Sequence, residues 1–153
     1  MKAITAMTRN VVTIEPTQSL KAAHEIMIEW SIRHLPVVQN KKVVGILSDR
    51  DVLIHASQGK NGLVVPLIQV KDAMTAMPMT CHSSAAVGKI ARMMIEHKID
   101  SLPIVNPESE LVGLVTSTDL LELLAEREDM SDGRAIPFQY RIHRAGSEYA
   151  ATM

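Results

Sequence analysis

Two short stretches of this chain place a hydroxyl and a carboxylate where they could act together. They are Ser48-Asp49-Arg50-Asp51 and Thr116-Ser117-Thr118-Asp119. Each follows an apolar run, Gly45-Ile46-Leu47 or Gly113-Leu114-Val115, and each precedes a helical pattern. A hydroxyl residue three positions before an acidic one is the signature of a capping box, in which the two side chains satisfy orphan N–H groups at a helix start. The same geometry suits a ligand. A strand-to-helix turn presents free N–H groups that attract phosphate. A carboxylate there can accept two hydrogen bonds from a vicinal diol such as a ribose, and the hydroxyl can bond a phosphate oxygen. Arg50 adds forked donors matched to phosphate. These are the ingredients of a nucleoside or nucleotide site, and their recurrence favours the ligand reading over a cap alone.

The recurrence extends well beyond this motif. Met7-Thr8 through Leu53 reappears as Met74-Thr75 through Leu121, offset by 67 residues and then by 68 after one insertion. Thr13 meets Thr80, Met27-Ile28-Glu29 meets Met94-Ile95-Glu96, Leu35-Pro36 meets Leu102-Pro103, and Asp51 meets Asp119. A repeat is usually one supersecondary unit that cannot cover its own apolar face. Two such units predict a pseudo-symmetric module with a cleft between its halves.

The elements that must hold these residues follow from periodicity. In the first repeat, Val11-Val12-Thr13-Ile14 reads as a strand. Leu20, Ala23, Met27 and Trp30 form the apolar stripe of a helix capped by Ser19 or Thr17. His34 to Val38 and Val43 to Leu47 read as strands around a turn at residues 39–42, and a second helix runs from Ser48 to about Ala56. The second repeat reads likewise, with strands at Pro78 to Cys81, Ser101 to Val105 and Leu111 to Val115. Its helices are the Val87, Ile90, Met94, His97 stripe and a last one from Thr116 to about Arg127. The predicted class is α+β, two β-α-β-β-α units. The expected divisions are 1–62 and 63–127, each with its lead-in, and a tail from 128 to 153. Residues 57–62 read as a linker by composition. In the tail, Ile136, Phe138, Tyr140 and Ile142 alternate with polar residues or Pro137, which predicts a strand along this chain or against a second copy, with disorder as the remaining alternative.

Composition narrows the function classes. Apolar residues make up 46%, enough for a real core, and the net charge is −1. That charge gives no broad pull toward nucleic acid or anionic lipid. One Trp, one Phe and two Tyr are too few for a base-stacking surface. The single Cys81 excludes an internal disulfide and suits a reducing compartment. No apolar run approaches the roughly 20 residues that span a bilayer, and no signal-peptide pattern opens the chain. A cytoplasmic protein without membrane insertion or nucleic-acid binding is expected. The ten Met residues read as core filling rather than a Met-lined surface. His24, His34, His55, His82, His97 and His143 show no metal-ligand spacing, so no metal is expected. Of these, His34 is best placed to touch a ligand. Cys81 reads as a buried apolar residue rather than a nucleophile. No nucleophile elbow, Walker loop or dinucleotide fingerprint occurs.

The ordered set Met7-Thr8, Val12-Thr13, the helix through Met27, Leu35-Pro36-Val37-Val38 and Val44-Gly45-Ile46-Leu47-Ser48-x-x-Asp51 resembles the cystathionine β-synthase (CBS) domain. Met74-Thr75 through Gly113-Leu114-Val115-Thr116-x-x-Asp119 resembles it again, so residues 1 to about 125 look like a tandem CBS pair, or Bateman module. The tail is outside the resemblance.

The resemblance implies two halves packed through their sheets and clefts that bind AMP, ADP, ATP or S-adenosylmethionine as regulatory ligands. It implies that Asp51 and Asp119 contact ribose hydroxyls, with Ser48 and Thr116 beside them. It also puts Arg33-His34-Leu35-Pro36, Asp100-Ser101-Leu102-Pro103, Thr13-Ile14 and Thr80-Cys81 at the ligand's border. Arg50 and Thr118 complete the candidate set. Homodimers through the helices and control of an effector protein are implied, with no required cofactor and no catalysis. No effector domain is expected in this chain. Inosine monophosphate dehydrogenases carry such pairs, but there is no room here for their catalytic barrel. If each repeat supplies its own contacts, Thr118 in place of Arg50 and Asp100 in place of Arg33 make the second site the poorer one for phosphate; the alternative is that neighbouring repeats share one ligand. The alternatives are a dimerisation scaffold with empty clefts and an enzyme whose catalytic group the sequence does not name.

Overall fold

The computed structural model describes residues 1–126, 139–144 and 147–152. Both repeats lie in one compact unit, Met1–Leu123. The unit Leu124–Met153 contains an antiparallel hairpin of Gln139–Arg144 and Ser147–Thr152. Tyr140 and Ile142 of the expected tail strand fall on its first arm, and Ile136 and Phe138 lie outside the described residues.

The chain opens with a four-residue helix α1 (Ala3–Ala6). The first repeat then follows as α2 (Leu20–Glu29), β1 (His34–Gln39), β2 (Lys42–Ser48) and α3 (Asp49–His55). Ser19 caps α2 by accepting the Ala22 N–H at 3.0 Å. The predicted stripe becomes the buried face Leu20, Ala23 and Met27, while Trp30 falls outside it, exposed at the helix end. β1 and β2 pair antiparallel across Asn40 and Lys41. Both turn residues have positive φ, 52° and 66°, as the twist of a two-residue hairpin demands.

A second hairpin follows, β3 (Ser57–Gly59) and β4 (Gly62–Val64). The expected linker at 57–62 is therefore a hairpin. Its signal was the Asn61-Gly62 pair, with Gly62 at φ 115°. After the short strand β5 (Thr75–Ala76), the second repeat gives β6 (Cys81–His82), α4 (Val87–His97), β7 (Ser101–Val105), β8 (Leu111–Thr116) and α5 (Ser117–Glu126). The expected first strands shrink. In the second repeat only Cys81 and His82 run parallel to β7. In the first, Ile14 alone bridges Val37, because Pro16 follows two residues on and supplies no N–H to continue a ladder.

The lead-in of each repeat crosses to the other. α1 belongs to the core of the second repeat, where Ala3 is buried with Ile90, Met94, Leu102, Ile104 and Val115. The Ala3 N–H donates to the Ala85 carbonyl at 2.8 Å. Thr8 exchanges both backbone bonds with Leu114, at 2.9 and 3.0 Å. Reciprocally, Val70 is buried with Leu20, Leu35, Leu47 and Val52 of the first repeat. The Leu20 N–H donates to the Ile68 carbonyl at 2.9 Å, and β5 pairs with β2 at Ile46↔Thr75. The core of each repeat thus includes the lead-in of the other.

Two glycines make the crossing possible. A Cβ on Gly45 would overlap the Met74 sulfur, and one on Gly113 would overlap the Met7 sulfur. The sheets have the orders β1-β2-β5 and β6-β7-β8, and a Lys42↔Glu110 bridge links them. Burying each of the fully covered Leu, Ile and Val side chains contributes about 1.5–3 kcal/mol, divided between two cores related by the repeat.

Candidate functional site

The two helix starts are built as capping boxes. Asp51 Oδ2 accepts from the Ser48 N–H at 2.8 Å and from Ser48 Oγ at 3.0 Å, while the Asp51 N–H donates to Ser48 Oγ at 3.2 Å. Asp119 Oδ2 accepts from the Thr116 N–H at 2.6 Å and from Thr116 Oγ1 at 3.0 Å. The cap is therefore real in both repeats. It uses one carboxylate oxygen of each Asp. Among the described residues, Oδ1 of Asp51 and Oδ1 of Asp119 accept no hydrogen bond from the chain.

Each acid lines a cleft between the repeats. The Asp119 cleft has a volume of about 320 Å³. Thr116, Thr118 and Leu114 form one wall, and Ser31, Ile32, Arg33 and His34 the other, with Thr8, Asn10, Val11 and Val12 from the crossing lead-in. The Asp51 cleft has a volume of about 340 Å³. Ser48, Arg50 and Ile46 face Lys98, Ile99, Asp100 and Ser101, with Thr75, Met77, Pro78 and Met79 from the other lead-in. The two linings correspond position by position under the repeat. Ser31 and Lys98, which turn from helix to strand in each half, share a left-handed backbone, φ 52° and 53°.

Of the two groupings open from the sequence, contacts within one repeat or contacts shared between repeats, the clefts have the shared one. Arg33 does not join Asp51. It crosses to the second repeat, where its Nη2 donates to Thr118 Oγ1 at 3.3 Å. Arg50 shares its cleft with Asp100 and Lys98. The crossing sets the helix–strand turn of one repeat against the helix start of the other, so neither repeat owns a site. The Asp119 cleft holds Arg33 as its cation, and the Asp51 cleft holds Arg50 and Lys98 with Asp100 as an added acid. His34 lines both clefts, and its Nε2 lies 2.9 Å from Asp100 Oδ1.

Of the sequence candidates, Asp119, Thr116, Thr118, Arg33 and His34 come together in one cleft. Asp51, Ser48, Arg50, Ser101 and again His34 come together in the other. Ile14, Pro36, Pro103 and Cys81 are buried and line neither. Thr80 is exposed and lines neither. Thr13 lines a separate depression with Arg9, Lys41 and Glu110. Burial pushes the Cys81 thiol up, with Lys89 pulling weakly the other way, and its sulfur sits 3.4 Å from Met93 Sδ. The lead-in residues Asn10, Val12, Met77 and Met79 and the turn residues Ser31 and Lys98 were not singled out by sequence. Their shared position one repeat apart was the available signal.

A pair of like repeats with crossed lead-ins and two equivalent clefts is the architecture these residues define. The chain belongs to the CBS domain family, whose model matches residues 1–57 and again 70–126. It is 37% identical over 112 residues to inosine-5'-monophosphate dehydrogenase of Korarchaeum cryptofilum, covering 73% of this chain and 22% of that protein. It is 30% identical over 115 residues to the CBS domain-containing protein YhcV of Bacillus subtilis, covering 74% of this chain and 79% of that one. The aligned region is thus about a fifth of the dehydrogenase and most of YhcV. Among solved structures, the CBS domain pair of protein MJ0100, in complex with 5'-methylthioadenosine and S-adenosylmethionine, superposes with a TM-score of 0.71 at 26% identity, covering 84% of this chain and 98% of that one. CBSX2 in complex with AMP superposes with a TM-score of 0.70 at 26% identity, covering 82% and 96%. No helix among the described residues is long and apolar enough to cross a membrane.

Proposed function

We propose that each cleft binds an adenosine-containing ligand, AMP, ADP, ATP or S-adenosylmethionine, and that occupancy selects an arrangement of the repeats that an effector protein reads. The observation that carries this is the divided use of Asp51 and Asp119. One oxygen of each closes the capping box, and the other is left for the paired hydroxyls of a ribose. The clefts fall near the lower end of the size range of small-molecule sites. Arg33 in one and Arg50 in the other supply a cation for a phosphate or carboxylate. The adenosyl ligands held by the MJ0100 pair and by CBSX2 support the same class here. A ligand shifts such an equilibrium only by its difference in affinity between the two arrangements.

Dimerisation is part of the proposal. Ile28 and Leu53 of the first repeat and their counterparts Ile95 and Leu121 of the second are all exposed on helices, Ile95 at 76%. Repeated apolar residues at matching places suit a second copy of the same face. That feature also favours the second reading, a scaffold whose clefts stay empty. Thermal denaturation with AMP, ATP, S-adenosylmethionine and 5'-methylthioadenosine separates the two. Binding raises the melting temperature with ligand concentration, whereas no shift with any of them supports the scaffold.

A further inference from the structure

This inference rests on the proposed adenosine ligand and concerns how the Asp51 cleft handles its charge. The repeat makes Arg33 equivalent to Asp100 and Thr118 equivalent to Arg50. In the Asp119 cleft the two positions touch, Arg33 Nη2 donating to Thr118 Oγ1 at 3.3 Å. In the Asp51 cleft the same two positions carry Asp100 and Arg50. The long side chain has changed sides, from the turn to the helix start. Opposite charges that share a cleft attract one another. Among the described residues, however, Asp100 makes no salt bridge to Arg50; its Oδ1 lies 2.9 Å from His34 Nε2 instead.

The imidazole is well placed to hold that acid. His34 is 8% exposed at the start of β1. A carboxylate only accepts, so Nε2 carries the hydrogen of the bond. The Asp100 side chain is 57% exposed and has room to turn. The counterpart of His34 is Ser101, too short to make the equivalent bond, so only one cleft has the device.

We propose that His34 is a positioning residue that holds Asp100 away from Arg50 and thereby keeps the Arg50 guanidinium open to the phosphate or carboxylate of a ligand in the Asp51 cleft. Released, Asp100 turns to Arg50 and competes with that anionic group. His34 then governs selection by charge rather than binding of the nucleoside itself.

The test is calorimetric titration of AMP and of adenosine, in a parent chain carrying Asp119→Asn so that the Asp51 cleft is read alone. Adding His34→Ala lowers AMP affinity roughly tenfold, the scale of one charge-assisted hydrogen bond, and leaves adenosine within about twofold. His34→Gln, which keeps a donor near the same place, and His34→Ala with Asp100→Asn both restore AMP binding. Asp100→Asn by itself does not weaken AMP. Equal loss of AMP and adenosine overturns the proposal, as does an unrescued loss or a weaker AMP affinity in Asp100→Asn. A folded parent that binds neither AMP nor adenosine instead overturns the adenosine reading, and this proposal with it.

Discussion

Arg33 of the first repeat donates from Nη2 to Thr118 Oγ1 of the second at 3.3 Å, and both residues line the Asp119 cleft. The bond ties the helix–strand turn of one half to the helix start of the other. It also leaves most of the guanidinium donors for a ligand. Arg33→Ala is therefore expected to weaken AMP binding at the Asp119 cleft by about 1.5–3 kcal/mol, as for a lost hydrogen bond to a charged group, and to change adenosine binding less. Titration in an Asp51→Asn chain reads this cleft alone. Equal effects on both ligands would remove Arg33 from the phosphate end.

The crossing of the lead-ins makes a stability prediction with no ligand involved. Gly113→Ala puts a methyl group against Met7, and Gly45→Ala puts one against Met74. Met side chains give way to some extent. Overpacking of this kind still costs about 1–3 kcal/mol. Urea denaturation should show a lower midpoint for both variants, while Gly88→Ala, where nothing stands within 4 Å, should show none of that loss. Midpoints of Gly45→Ala and Gly113→Ala at the wild-type value would mean that the lead-ins do not sit where they are described.

The cap and the ligand use different oxygens of the same acid, so the two roles can be separated. Asp51→Asn keeps an oxygen to accept the Ser48 N–H and removes the charge. It should retain most of the stability. Asp51→Ala removes the capping acceptor as well and should unfold earlier, by about 0.5–2 kcal/mol, the range for a lost cap. Thermal melts of the two variants without ligand make the comparison, and identical melts would mean that the bonds to Oδ2 contribute nothing.

Leu53→Glu with Leu121→Glu places charges on the two exposed helix positions related by the repeat. Sedimentation equilibrium should show a homodimer for wild type and a monomer for this variant. A dimer of unchanged strength would place the interface elsewhere.

Much of the fold was legible because its signals are local. The α2 stripe, the β1–β2 turn at Asn40-Lys41 and both Ser/Thr-x-x-Asp caps depend on spacing within a few residues. Repetition then identified Asp51 and Asp119 as equivalent. The crossed lead-ins were not legible, since nothing in residues 3–8 states that their partners lie near 83–87 and 114. The grouping of residues around each cleft depends on the same crossing. Arg33 and Asp51 stand close in sequence, yet the crossing sends Arg33 to Thr118. Ile14, Pro36, Pro103 and Cys81 illustrate another ambiguity. A buried strand residue beside a cleft and one lining it have the same pattern; Ile14 and Cys81 join the two apolar cores, and Pro36 and Pro103 are buried without lining either cleft.

The most direct measurement is a titration of AMP into wild type, Asp51→Asn, Asp119→Asn and the double variant. Wild type is expected to bind AMP at two sites, each single variant to lose one of them by about 1–3 kcal/mol, and the double variant to retain no tight site. AMP binding of unchanged affinity and stoichiometry in the double variant would contradict this.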